Sequence, residues 1–235
     1  MLLYILRHGD PIYNPDTLTE KGKLQARALA DRLAVHGLDR VYCSPHGRAR
    51  ETAQPTCEKL GLEMQIEDWT AEKYAWADFA VPDEKGRMHW AFFTQIKKIA
   101  QDPAVLGEKP WYEAEHLKGT NARAGFQRVI DASDEFLARQ GYEREGMAYR
   151  IVRPNDDRVA VFCHGGFGSL WMAHLMGLNP VTYSPHFGMT HSGITILEFH
   201  NHENGYTSPE CLCLSDTSHL YHAGLPLEYN NRLGL

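Results

Sequence analysis

Two histidines stand where apolar runs give way to glycine. Arg7-His8-Gly9 follows Leu2 to Leu6, and Cys163-His164-Gly165-Gly166 follows Val159 to Phe162. Open α/β sheets gather ligand sites at the carboxyl ends of their strands, so the two imidazoles can converge on one pocket although 156 positions separate them. A neutral imidazole is a competent nucleophile near neutral pH, and Arg7 beside it carries a fork of donors matched to phosphate oxygens. A second arginine, Arg48, lies in Ser44-Pro45-His46-Gly47-Arg48-Ala49-Arg50-Glu51-Thr52-Ala53, in the first turn of an expected helix whose dipole also favours an anion. An in-line nucleophile, positive charge around the equatorial oxygens and a proton for the leaving group are what phosphoryl transfer needs. His8 is the candidate nucleophile and His164 its electrostatic helper.

The elements that must position these groups follow from periodicity and punctuation. Leu2 to Leu6 reads as a buried strand. Thr19 can cap a helix from about Glu20 to His36 that stops at Gly37, with Leu24, Ala28, Leu29 and Leu33 on its apolar face. Val41 to Cys43 reads as a second strand, and Ser44-Pro45 as a cap and first-turn proline opening a helix that ends near Gly61. Val159 to Cys163 is a third strand, followed by a helix over Gly166 to Met176 closed by Gly177, and Ile194 to Phe199 is a fourth. This alternation predicts an α/β fold, a three-layer α/β/α arrangement with a mostly parallel central sheet.

The whole chain, 1–235, is expected to form one domain, with an insertion over about 75–158. That stretch holds two expected helices, Arg87 to Gln101 and Ala122 to Gln140, and a hairpin over Tyr142 to Val152 turning at Glu145-Gly146. Its aromatics Trp76, Phe79, Trp90, Phe92, Phe93, Trp111 and Tyr112 are expected to join these helices to the sheet as core. Part of this helical and hairpin insertion should cap the active site, because long insertions in compact domains are often functional.

Composition narrows the function. A formal charge of −6 argues against a nucleic-acid partner, which calls for a basic stripe. The apolar start is too short for a signal peptide or a membrane span, so a cytoplasmic location is expected. Five cysteines without a CxxC pair fit reduced thiols. His200-Asn201-His202 invites a metal reading, but no third ligand has suitable spacing, and no metal is expected.

Arg7-His8-Gly9, Asn14, Leu18-Thr19 with Gly22, Ser44-Pro45 with Arg48-Ala49 and Thr52-Ala53, and His164-Gly165-Gly166 together resemble the histidine phosphatase superfamily, in its phosphoglycerate mutase-like branch. The motifs recur in the family's order across about the first 75 residues and the stretch from Val159 to Phe199. The resemblance implies that His8 becomes transiently phosphorylated and that Arg7, Arg48 and His164 surround the phosphoryl group, with Asn14 and Gly165 binding its oxygens. It implies no cofactor, because arginines and a protonated His164 already neutralise the transition state. A carboxylate should protonate the leaving oxygen, and Glu72 best fits the family pattern, with Glu67, Asp68 and Asp10 in reserve. His191 or Ser192 is a candidate for the pocket rim.

The expected activity is metal-independent hydrolysis of a small phosphorylated metabolite. A mutase and a non-catalytic phospho-ligand-binding protein are the alternatives. Only Pro15, Asp16 and Thr17 separate Asn14 from Leu18, whereas mutases of the superfamily carry a long substrate-contacting loop there. Asp10-Pro11 departs from the family pattern, since proline removes a backbone donor near the phosphate. Substrate identity and oligomeric state stay open at this level.

Overall fold

In the computed structural model, which describes residues 1–93 and 99–227, strand β1 (Leu2–Arg7) shows how the sheet is built. Leu3 and Ile5 face one core, Tyr4 and Leu6 the other, the period-two alternation of a strand covered on both sides. A two-stranded ribbon, β2 (Pro11–Ile12) and β3 (Thr17–Leu18), leads to α1 (Glu20–Ala34). Then come β4 (Arg40–Cys43), α2 (Gly47–Leu60), β5 (Met64–Ile66), α3 (Glu72–Phe79) and a second ribbon, β6 (Ala80–Pro82) with β7 (Met88–Trp90). Helix α4 (Ala122–Gln140), the hairpin β8 (Tyr142–Glu145) and β9 (Ala148–Ile151), β10 (Arg158–Cys163) and α5 (Gly165–Leu175) follow. The described chain closes with α6 (Pro180–Tyr183), β11 (Ile194–Glu198), β12 (Tyr206–Thr207), β13 (Glu210–Asp216) and α7 (Ser218–His222).

The main sheet runs β13-β11-β1-β10-β4-β5. β1, β10, β4 and β5 are parallel neighbours, and β11 pairs antiparallel with both β1 and β13. Helices α1 and α2 cover one face through Leu29, Leu33, Ala49 and Ala53, while α3, α4 and α5 cover the other through Phe79, Phe136, Phe167 and Trp171. This is the expected three-layer α/β/α arrangement. Among the described residues no helix is long and apolar enough to cross a membrane.

Several boundaries follow local chemistry. The Thr19 hydroxyl accepts from Gly22 N–H at 3.0 Å and caps α1, and Gly37, at φ 73°, ends the segment after the helix. Leu24 departs from the expected apolar face, being 47% exposed. It lies five residues from Leu29, about 140° around the helix, and so points away from the sheet. Helix α4 has its expected bounds, ended by Gly141 at φ 102°.

Two expectations are overturned, one by distant groups and one, over Arg87 to Phe93, by a local turn. Ser44-Pro45 does not open α2: the helix begins at Gly47, because the Ser44 hydroxyl is engaged by His164 and a carboxylate from elsewhere, Asp16, accepts from Gly47 N–H at 2.8 Å. The expected helix over Arg87 to Gln101 is instead a strand and a 3-10 turn up to Phe93, while 94–98 of it lie outside the described residues and Ile99 is helical. The Asp83 side chain accepts from Lys85 and Arg87 N–H, making a tight turn with Gly86 that folds Met88–Trp90 back against β6.

The insertion divides between the two ends of the sheet. Trp76 on α3 and Trp90 on β7 line the cavity at the carboxyl ends of the strands. The Tyr142–Ile151 hairpin stands at the opposite end, where Tyr142 Oη accepts from the Met1 amino group at 3.3 Å and Arg144 reaches the His174 carbonyl near the end of α5. Phe79 and Phe92 are buried and Trp111 packs against the same core, as their density along the chain suggests.

Candidate active site

The parallel register of β1 on β10 pairs Arg7 with Cys163, so the next residues, His8 and His164, leave the sheet side by side. Their ring centroids lie 5.1 Å apart. β4 flanks β10 in the same direction, and α2 beyond it brings Arg48 to the same end of the sheet. The long sequence separation between the histidines thus becomes one strand spacing.

His8 is 3% exposed and held in one tautomer. Its Nδ1–H donates to the Gly9 carbonyl at 2.7 Å, which leaves Nε2 as a lone pair, toward which Arg48 Nε–H points at 3.2 Å. Burial first, then the charge of Arg7, then Arg48 and His191, hold its pKa well below the ordinary 6.5 against the Gly9 hydrogen bond. The ring is therefore neutral and basic at Nε2, the state in which it can accept a phosphoryl group. Main-chain bonds fix its backbone: His8 N–H donates to the Cys163 carbonyl, and the His8 carbonyl accepts from Ser192 N–H. Gly9 N–H donates to Thr52 Oγ at 2.9 Å, and that hydroxyl donates to the Arg48 carbonyl, tying the loop to α2.

His164 is fully buried behind His8, its Nε2 2.7 Å from Ser44 Oγ. Burial, His8, Arg48, His46 and Arg7 all hold its pKa well below 6.5. The expected imidazolium is thus not supplied by the protein's own charges; only an added anion can oppose these four cationic or imidazole neighbours.

The arginines are aimed by different devices. Arg7 donates to the Met189 carbonyl, and its Nη2 lies 2.8 Å from His191 Nε2. His191, pushed down to about 3 by burial and by Arg7, is a neutral acceptor there, and its ring stands 5.5 Å from that of His8. Arg48 is 6% exposed and pairs through Nη1 with Asp16 Oδ1 at 2.7 Å. Burial works upward on Asp16, but the hydrogen bond and charge of Arg48, with Gly47 N–H and His46, outweigh it and keep the carboxylate ionised. The sequence shows Asp16 only as part of an Asn-Pro-Asp turn, and nothing local marks it as the partner of Arg48.

Glu72 opens α3 and accepts from the first turn of α5, Oε1 from Gly166 N–H at 3.0 Å and Oε2 from Phe167 N–H at 2.7 Å. Burial raises its pKa, against those two bonds and the charges of Arg7 and Arg48. A carboxyl group raised in this way and facing a cationic cluster can carry a proton to a nearby oxygen. Gly166 has room for no side chain: a Cβ there would come 2.3 Å from the Trp90 ring and 2.9 Å from Glu72 Oε1.

These groups share a cavity of about 780 Å³. Arg7, His8, Arg48, Glu72 and Gly165 line it, and His164 supports His8 from below. Asn14 is exposed in the ribbon turn and is not among the lining residues. The reserve carboxylates are engaged elsewhere: Glu67 with Arg139 and Trp69, Asp68 with Tyr74, and Asp10 with Thr19 and Lys21. Ser192 is buried, its Oγ 2.9 Å from His219 Nε2, and sits at φ 58°. His200 contacts Glu198 and Glu210, and no cluster of three or more metal-ligating side chains occurs among the described residues. His174 on α5 reaches across to Asp134 on α4 at 2.8 Å.

The family model described as "Histidine phosphatase superfamily (branch 1)" matches residues 3–210. A Schizosaccharomyces pombe protein named "Probable phosphatase" is 39% identical over 187 residues, covering 75% of this chain and 74% of its own. Phosphoserine phosphatase 1 of Hydrogenobacter thermophilus is 36% identical over 75 residues, 28% of this chain and 36% of that protein. Among solved structures, phosphoserine phosphatase from Entamoeba histolytica in complex with 3-phosphoglyceric acid superposes with a TM-score of 0.61 at 19% identity, covering 93% of this chain and 98% of that one. Native mycobacterial glucosyl-3-phosphoglycerate phosphatase gives 0.61 at 22% identity, with 92% and 99% covered.

Proposed function

The chain belongs to the histidine phosphatase superfamily, and from that premise we propose that it hydrolyses a small phosphomonoester through a phosphohistidine on His8. The observation that carries this reading is the fixed tautomer of His8, which leaves Nε2 unprotonated and within reach of Arg48 Nε–H, on a residue that lines the cavity with Arg7, Arg48 and Glu72.

In the first step His8 Nε2 attacks phosphorus as the bond to the ester oxygen breaks. Arg7, Arg48 and the α5 N-terminus at Gly165 stabilise charge on the equatorial oxygens. Glu72, its pKa raised, gives its proton to the departing alkoxide, so the product leaves as a neutral alcohol. The dianionic ester brings the negative charge that His164 lacks in its own surroundings and draws a proton onto it. In the second step water attacks phosphorus, Glu72 takes the water proton, and the N–P bond breaks, returning neutral His8 and inorganic phosphate.

The test is phosphate release from a panel of phosphomonoesters, with chelator present and no bisphosphorylated primer, together with rapid-quench detection of acid-labile, base-stable labelled protein. The native chain should release phosphate and carry label, and His8→Ala should lose release by about 10⁴-fold or more and carry none. Undiminished release from His8→Ala would remove His8 from the role of nucleophile, and activity only with primer would make the protein a mutase.

A further inference from the structure

Away from His8, the cavity changes character. The cations lie at the phosphate end, where Arg7 is engaged by Met189 and His191, and Arg48 by Asp16 and His8. The lining also carries a group of aromatic side chains: Trp76 and Trp90 meet edge to face with centroids 5.1 Å apart, and Phe187 stacks on Tyr183 at 4.6 Å. Lys73 is the further cation on the lining, and its Nζ lies 4.8 Å from the Tyr74 ring centre, drawn to that π face. Ser169 and Ser184 hydroxyls bond one another at 2.9 Å and so present little unmet polarity.

Trp76 and Phe187 are also 37% and 40% exposed, so large aromatic surface is left uncovered at the mouth of the cavity. At about 780 Å³ the space is within the range that holds drug-sized ligands, far more than a phosphate with a three-carbon acid needs. Among the described residues Lys73 is the one lining cation outside the phosphate cluster, so a carboxylate on the alcohol would have to draw it off the Tyr74 ring or lie stripped of water against the aromatic side chains. A flat neutral ring system would instead cover apolar surface and meet the tryptophans face to edge.

We infer, building on the phosphatase reading above, that the preferred substrate is the phosphomonoester of an alcohol bearing a neutral aromatic or heteroaromatic group of about two rings, seated against Trp76, Trp90 and Phe187. This makes those three side chains specificity determinants, while bond cleavage stays with the strand-end cluster.

The test compares 2-naphthylmethyl phosphate with phosphoserine, both esters of weakly acidic alcohols, so that leaving-group activation does not decide the result. Native protein should favour the naphthylmethyl ester by about tenfold or more in kcat/KM. The ratio should fall toward one in Trp76→Ala and in Phe187→Ala, both changes at the rim where the fold tolerates truncation. Equal or better turnover of phosphoserine, or a ratio unmoved in both variants, would overturn the inference. If no ester were hydrolysed, the phosphatase reading would fall. Dissociation constants of 2-naphthylmethylphosphonate and of a carboxylated alkylphosphonate would then still decide the pocket's preference, tighter binding of the former supporting it and of the latter overturning it.

Discussion

At the strand-end side of the cavity the polar groups are fixed by neighbours: His8 by Gly9, Cys163 and Ser192, Arg48 by Asp16, and Glu72 by two amides of α5. The aromatic part of the lining, from α3, β7 and Phe187, is held by ring contacts, Trp76 with Trp90 and Phe187 with Tyr183. Hydrogen bonds are directional and fix atoms, as transfer of a phosphoryl group demands. Ring packing fixes shape and hydrophobicity, and it can be varied without moving the reacting atoms.

That contrast can be broken from the polar side first. Arg48→Ala should lower kcat/KM by about 10² to 10³-fold for every ester alike, removing a charge donor and leaving Asp16 with Gly47 N–H, His46 and the main-chain N–H at position 48. A loss confined to one ester would place Arg48 with the selective wall instead. Glu72→Gln should cut kcat by about 10²-fold for alkyl esters and far less for p-nitrophenyl phosphate, whose leaving group needs no proton. The pH profile should respond in the same variant. Native activity should decline on the alkaline side as the raised Glu72 carboxyl loses its proton and on the acid side only below 6.5, where His8 protonates; Glu72→Gln should abolish the alkaline decline.

Gly166 joins the two regions, since a methyl group there meets both Trp90 and Glu72. Gly166→Ala should lower kcat by roughly tenfold and stability by about 1–3 kcal/mol, and should also reduce the preference for 2-naphthylmethyl phosphate over phosphoserine, which neither Arg48→Ala nor Glu72→Gln does. Parallel kinetics and urea denaturation would check it. The smallest effect concerns support from α7. His219, pushed down to about 4 chiefly by burial, is neutral when folded and binds a proton more readily when unfolded, so stability should be complete above 6.5 and fall as pH drops from 6.5 toward 4. His219→Gln should cost about 1 kcal/mol at neutral pH and flatten that fall, read by denaturation at several pH values.

Much of this arrangement was legible before any coordinates. The apolar runs Leu2 to Leu6 and Val159 to Phe162 mark the two central strands, Thr19 and Gly61 mark helix ends, and the ordered motifs around His8, Arg48 and His164 mark the family. These are signals of short range, written in side-chain type and in a period of two or 3.6 residues. Where local rules were contested by a distant group, they failed. Ser44 looks like a cap but bonds His164, and Asp16 looks like a turn residue but caps α2 and holds Arg48. Two other departures are local: Leu24 lies about 140° around α1 from Leu29, and the Asp83 turn bends Met88–Trp90 back into a ribbon. The sequence by itself therefore determined four of the six strands of the main sheet, the 142–151 hairpin, the four longest helices and the identity of the charged cluster. Tertiary structure alone decided which carboxylates meet which donors and which rings face His8, because those contacts depend on strand register and helix placement across tens to hundreds of residues, beyond the reach of any local pattern.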